Sequence, residues 1–328
     1  MSFMQINDLH VHYPIRGGFF NAVVDNVLAV DGISLEFEKG KTYGLVGESG
    51  CGKSTTGKSI IGLEKVTSGS IIYEGEDVTN KSRNRNSSFN KDIQMIFQDA
   101  NSSLNPRKRV QDIIAEPIRN FLKLSDLEEK RKINELLAIV GMPEDAKLKY
   151  AHEFSGGQKQ RIGIARAIAT NPKLIIADEP VSALDLSVQA QVLNYLKDIQ
   201  KELGLSYLFI SHDLGVVKHM CDHISIMYKG RFVESGNRQD VYQSPQHIYT
   251  KRLLSAIPTI EPSTRESRKR ERITVEQNYQ KEEYQYFDED GRVFDLYSLS
   301  DTHKVAMTTT NKEVIHKVAM TTTNKEVI

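Results

Sequence analysis

Cysteine is almost missing from this chain of 328 residues: Cys51 and Cys221 are the only two. Two thiols so far apart build no disulfide framework. No apolar run approaches the roughly 20 residues that a membrane-crossing helix needs. The opening residues MSFMQINDLHVHY hold no basic region ahead of an apolar core, so no secretory signal is expected. Charge of one sign is lacking too, since 43 Lys+Arg balance 43 Asp+Glu. Nothing therefore suggests general affinity for nucleic acid. What remains is a soluble cytosolic chain, long enough to bury a sizeable core in one large domain plus an appendage.

Apolar residues alternate around Leu9–Val11–Tyr13 and Ile33–Leu35–Phe37, which predicts two half-buried strands, and PIRGGFFNAVVDNV between them reads as a loop. Thr42 to Val46 is a short apolar strand, followed by a glycine loop and a helix over Lys53 to Gly62. Strands are expected at Ile71 to Tyr73 and Ile93 to Phe97. From about residue 107 to 170 helical periodicity dominates, first in VQDIIAEPIRNFLKL and then in DLEEKRKINELLAIV. Ser125 suits the N-cap of the second of these helices, with Glu128 placed to close a capping box. Beyond Ser155 the rhythm becomes helix, strand (Leu174 to Ala177), helix (Ser187 to Leu203) and strand (Tyr207 to Ser211). A hairpin joins Ile224 to Met227 with Arg231 to Val233. Strands alternating with helices predict an α/β fold with a mainly parallel sheet and a helical insertion. Past Pro262 the text turns to charge clusters, and residues 263–328 read as a charged, partly disordered tail. Its last 26 residues are a thirteen-residue segment, HKVAMTTTNKEVI, given twice, at 303–315 and 316–328. That copy is too short for a solenoid unit and reads as a recent duplication or a sequencing artefact.

Chemistry concentrates in three motifs. GESGCGKS meets the pattern GxxxxGK[ST] with Gly47, Gly52, Lys53 and Ser54, between a strand and a helix. Its residues Gly47, Glu48, Ser49, Gly50, Cys51, Gly52 and Lys53, with Thr55 behind Ser54, are expected to cradle phosphates with inward N–H groups. Lys53 would reach the β- and γ-phosphates, and the Ser54 hydroxyl would bind Mg²⁺. Cys51 reads as a small neutral filler. LIIADEP puts Asp178 at the exposed end of a buried strand to hold the Mg²⁺ shell, with Glu179 beside it to polarise water. SGGQ at Ser155, Gly156, Gly157 and Gln158 opens a helix, which makes a second anion site. In one compact domain two such elements cannot reach the same triphosphate, so two chains closing over ATP are expected.

These motifs, followed by KQRIGIARAIA, resemble the ATP-binding subunits of ATP-binding-cassette transporters over roughly residues 4 to 260. The resemblance implies a P-loop NTPase core with an N-terminal antiparallel β subdomain and the inserted helical subdomain. It also implies that Ser155, Gly156, Gly157 and Gln158 face the γ-phosphate held by a partner, although Phe154 replaces the usual leucine. Gln98 in IFQDANSSLNP falls at the lid glutamine that links Mg²⁺ and water to membrane subunits. Asp185 in Ser182-Ala183-Leu184-Asp185 matches the loop between the two sites, His212 the switch histidine, and Tyr13 the aromatic that stacks on adenine. Asn101 to Arg107 and Ser244 to Pro258 are similar to the oligopeptide and dipeptide importer branch, with His247-Ile248-Tyr249-Thr250 one residue off its pattern. Some relatives carry an iron–sulfur cluster there; no cysteine follows Cys221, so none is expected here.

The implied organisation is an ATPase domain over 1–243, a permease-type segment over 244–262 and the tail over 263–328. The implied partners are a sister ATPase subunit in a heterodimer (a homodimer being the alternative), two membrane permease subunits and, indirectly, an extracellular peptide-binding protein. The expected ligands are ATP and Mg²⁺, and the expected place is the cytoplasmic face of the cell membrane. Rival readings are a soluble cassette ATPase of translation or DNA repair, a P-loop kinase, and an importer ATPase for nickel, glycosides or dipeptides.

Overall fold

Two β-sheets and a helical layer make up the computed structural model, which describes residues 2–79, 88–257 and 265–307. The larger sheet has eight strands in the spatial order β11-β12-β10-β9-β3-β8-β7-β6. Its centre is parallel: β3 (Thr42–Val46), β6 (Ile93–Ile96), β7 (Leu174–Asp178), β8 (Ser206–Ser211) and β9 (His223–Tyr228). Antiparallel pairing then adds β10 (Arg231–Asn237), β11 (Leu296–Ser298) and β12 (Lys304–Ala306) at one side. The smaller sheet is antiparallel, in the order β2-β1-β4-β5, from β1 (Ser2–Gly17), β2 (Ala22–Glu38), β4 (Ser68–Tyr73) and β5 (Glu76–Asp77).

The central strands are apolar throughout because both faces are covered. Side chains alternate between two cores along each strand. Leu174, Ile176, Leu208 and Ile210 pack with Phe3, Ile6, Val30 and Phe37 of the antiparallel sheet, while Ile175, Ala177, Tyr207 and Phe209 pack under the helices. Those helices are α1 (Lys53–Ile60), α2 (Ser88–Asp92), α3 (Ala100–Ser103), α4 (Val110–Phe121), α5 (Asp126–Ile139), α6 (Gly156–Ile168), α7 (Leu186–Leu203), α8 (Leu214–Met220), α9 (Arg238–Gln243), α10 (Ile248–Ser255) and α11 (Arg265–Glu282). The capping box expected at Ser125 is present: its hydroxyl accepts from Glu128 N, and the Glu128 carboxylate accepts from Ser125 N at 2.8 Å.

One sequence reading needs correcting. The insert at 14–27 is not a loop but the outer half of a β1–β2 hairpin, paired from Tyr13↔Val27 to Gly17↔Ala22 with one bulge between Ile15 and Arg16. Val23, Val24 and Val27 supply the β-propensity, and Gly18 (φ 72°) and Asn21 (φ 50°) turn the chain. Phe19 and Phe20 stand exposed at the tip. Within the tail, residues 265–307 carry regular structure: α11 packs on α10, and β12 extends the main sheet beside β10. Its charge hides a sparse apolar set, since Tyr279, Val293, Val305, Ala306 and Met307 are buried. Most of the thirteen-residue duplication, from 308 onward, lies outside the described residues, as do residues 258–264.

Candidate active site at the carboxyl ends of the parallel strands

Four adjacent parallel strands deliver the motif residues to one edge. In the order β3, β8, β7, β6 their carboxyl ends carry the P-loop, His212, Glu179 and Gln98. Ligands in open α/β sheets bind outside these ends. Ala29, Gly47 to Gly50, Gly52 to Thr55, Gln98, Glu179, His212 and Leu253 line a cleft of about 570 Å³.

The glycines of the loop are demanded by contact. A Cβ on Gly47 would lie 2.2 Å from the Met227 carbonyl oxygen, and one on Gly52, at φ +108°, 2.0 Å from that of Ala29. The backbone can pass so close only without a side chain. Lys53 is buried, its ammonium donating to the Gly47 and Glu48 carbonyls at 2.8 Å each. Ser54 Oγ donates to Asp178 Oδ1 at 2.8 Å. Burial, then the neighbouring Glu179 charge, raise the Asp178 carboxyl above its ordinary range, opposed by the Ser54 hydrogen bond. Such a carboxylate gains from a cation or a hydroxyl donor beside it. Burial likewise raises the Cys51 thiol despite Lys53 nearby, which leaves it a poor nucleophile.

Glu179 sits at φ +44°, a left-handed backbone that side chains rarely adopt. Strain of this kind costs of order 1–3 kcal/mol and clusters at working sites. Here it turns the carboxylate into the cleft, where Gln98 Nε2 donates to Oε2 at 2.9 Å and His212 Nδ1 lies 3.1 Å from Oε1. A carboxylate gripped this way can accept a proton from a water lying against it.

SGGQ lies elsewhere. Ser155 caps α6, its hydroxyl accepting from Gln158 N at 3.4 Å while Gln158 Oε1 accepts from Ser155 N at 3.0 Å. Ser155 to Gln158, Arg161, Ala183 to Asp185 and Val188 line a separate cleft of about 350 Å³, which no P-loop residue enters. Gly157 is required within the chain, where a Cβ would come 2.7 Å from Val188 Cγ1, but among the described residues nothing within 4 Å occupies the space beside Gly156.

Tyr13 stands on β1, with Thr55 and Glu64 as polar neighbours; burial and then Glu64 raise its hydroxyl pKa. It does not line the P-loop cleft.

Two contacts escaped the sequence reading, which set Ser244 to Pro258 apart from the nucleotide motifs. The buried Tyr249 hydroxyl accepts from Glu48 N at 3.2 Å, and Leu253 lines the P-loop cleft. Their i, i+4 spacing on α10 was the available signal.

The fold and site define a class, the P-loop ATPases that share ATP between cassettes. Residues 30–182 match the family model described as ABC transporter, and residues 233–285 match one described as oligopeptide/dipeptide transporter, C-terminal region. The chain belongs to the ABC transporter family of ATP-binding proteins. It is 59% identical over 311 residues to the oligopeptide transport ATP-binding protein OppF of Lactococcus lactis, spanning 95% of this chain and 98% of that protein. It is 49% identical over 308 residues to OppF of Bacillus subtilis, with 93% and 96% covered. Among solved structures it resembles a dimeric post-hydrolysis state of the ATP-binding cassette MJ0796 bound to ADP and Pi. That match has a TM-score of 0.63 and 25% identity, over 72% of this chain and 98% of that one.

Proposed function

We propose that this chain hydrolyses ATP to power the import of oligopeptides through a membrane permease. The observation that carries the reading is Glu179 held between Gln98 and His212 at the mouth of the P-loop cleft, with SGGQ facing out of a second cleft. One chain thus supplies half of each of two sites, and a second cassette completes them.

In this reading Lys53 and the loop N–H groups of Gly47 to Thr55 hold the phosphates, and Tyr13 borders the base. Glu179 takes the proton of the attacking water. His212 and Gln98 orient that carboxylate and the γ-phosphate oxygens. Ser155, Gly156, Gly157 and Gln158 of the opposing chain close on the same phosphate, and Asp185 lies between the two sites. Hydrolysis of this kind is positioning plus charge stabilisation. The hydroxyl and carboxyl oxygens of Ser54 and Asp178, with the Gln98 amide oxygen, are hard donors suited to Mg²⁺. Bound there, Mg²⁺ would neutralise phosphate charge.

The cargo follows from the OppF relatives and from the transporter match over 233–285. A sister ATPase, two membrane subunits and an external peptide-binding protein complete the machine. Among the described residues no helix is long and apolar enough to cross a membrane; in this reading the membrane subunits hold the chain at the cytoplasmic face. The test is uptake of labelled di- to hexapeptides by cells whose own copy is deleted and replaced. Uptake of tetrapeptides and longer that vanishes with Lys53→Ala is the expected result. Uptake of dipeptides alone overturns the cargo, and no change in any peptide overturns the reading.

A further inference from the structure

Away from the nucleotide cleft, three potential ligands converge where the small sheet meets the large one. His10 and His12 lie on β1 and Asp31 on β2, with His10 directly opposite Asp31 in the ladder. The register slips between Leu9 and His10 and again between Val11 and His12, and such bulges re-aim side chains. The Asp31 carboxylate is almost wholly buried, at 4% exposure, while the rings keep 19% and 25%. Asp31 Oδ1 lies 3.3 Å from His10 Nδ1 and 3.9 Å from His12 Nε2, and all three atoms fall within 4.8 Å of one another. A tetrahedral zinc with bonds of about 2.0–2.1 Å sets its ligand atoms roughly 3.3 Å apart.

The surroundings prepare each ligand. His10 Nε2 lies 3.2 Å from Asp8 Oδ1, and the tautomer that donates there leaves Nδ1 bare toward Asp31. A carboxylate behind a ligating histidine fixes its tautomer in this way. Asp31 Oδ2 accepts from Arg292 Nη2 at 2.6 Å and Nε at 3.0 Å, and from Arg231 at 3.5 Å, so Oδ1 stays turned to the histidines. His12 Nε2 is buried and has no hydrogen-bond partner among the described residues, a state that needs a cause. Gly32, at φ +81°, keeps the cradle open, because a Cβ there would come 3.1 Å from Asp8 Oδ1 and 3.3 Å from the His10 ring.

We propose that His10, His12 and Asp31 bind one divalent transition-metal cation, of which zinc suits the nitrogen–oxygen donor set. The cation would be structural. Asp31 N donates to the Gly230 carbonyl at 2.9 Å and Asp31 Oδ2 is held by Arg292, so its carboxylate joins the small sheet, the start of β10 and the C-terminal segment. The competing arrangement is a protonated His10 bridging Asp8 and Asp31, with no metal.

The test uses the full chain, stripped with chelator and free of nucleotide, titrated with Zn²⁺ by calorimetry and with Co²⁺ by visible absorption. One equivalent of Zn²⁺, the d–d bands of four-coordinate cobalt and a raised melting temperature are expected. His12→Ala should lose all three while still binding ATP, and Asp8→Asn should weaken the metal by about 10–100-fold. Absence of stoichiometric binding, or binding undiminished in His12→Ala, overturns the site.

Discussion

Replacing Glu179 by glutamine separates nucleotide binding from turnover. Both carboxylate oxygens are engaged in the native site, Oε2 by Gln98 at 2.9 Å and Oε1 by His212 at 3.1 Å. An amide offers one acceptor and one donor group, so its oxygen keeps the contact with Gln98, and its NH2 keeps the one with His212 only where Nδ1 is the accepting nitrogen. The cost is one hydrogen bond, about 1 kcal/mol, and the fold tolerates it because the strained φ of +44° is the same for both residues. The charge matters differently. Glu179 adds to the burial that raises the Asp178 carboxyl, so neutralising it eases Asp178 toward its ionised form and preserves Mg²⁺·ATP affinity. What disappears is the proton acceptor. A positioned base contributes about 10²–10⁴-fold, equivalent to roughly 2.7–5.4 kcal/mol of barrier at 1.36 kcal/mol per decade. Phosphate release from the assembled complex, beside binding of a fluorescent ATP analogue, measures both quantities. Hydrolysis within about threefold of the parent refutes Glu179 as the acceptor. Loss of ATP binding refutes the separation, because it would make Glu179 a support of the P-loop.

Three further outcomes are expected. Glu179→Gly relieves the left-handed backbone and should raise stability by about 1 kcal/mol in urea melts, with hydrolysis lost. Burial, and then the charge of Lys251, push the His247 pKa from 6.5 down to about 3. The unfolded chain takes up this proton below about pH 6.5 and the folded one only near 3. Stability therefore falls as the medium is acidified through that window, by about 2 kcal/mol at pH 5 from this group, and His247→Gln should flatten the dependence in denaturation measured from pH 7.5 to 5. Finally, His303 Nε2 lies 2.8 Å from the fully buried Glu234 Oε1. In a chain ended after residue 315, so that the second copy supplies no substitute, His303→Ala should cost about 2 kcal/mol in chemical denaturation.

The elements that depend on neighbours in sequence were legible. The P-loop, the capping box at Ser125, the helix start at Ser155 and the apolar run of β7 each rest on spacing within a few residues, where backbone sterics and periodicity act. The β1–β2 arm was misread because its outer half is exposed, which removes the apolar alternation that marks a strand. The elements of the tail over 265–307 were not legible because charge outweighs the few apolar residues that anchor them.

The sequence by itself marked this chain as ATP-binding, and led to the expectation that its two glycine-rich motifs, which line separate clefts, do not serve one nucleotide. Both statements rest on local glycine and helix chemistry. Only the tertiary structure decided that Gln98, Glu179 and His212 meet at 2.9 and 3.1 Å. The three follow different strands, and parallel pairing aligns those strand ends at one edge of the sheet. It also decided that α10, some 200 residues away, seats Tyr249 against Glu48, and that Asp31 faces two histidines across a bulged ladder. Such contacts arise from strand order and register, which no stretch of sequence states.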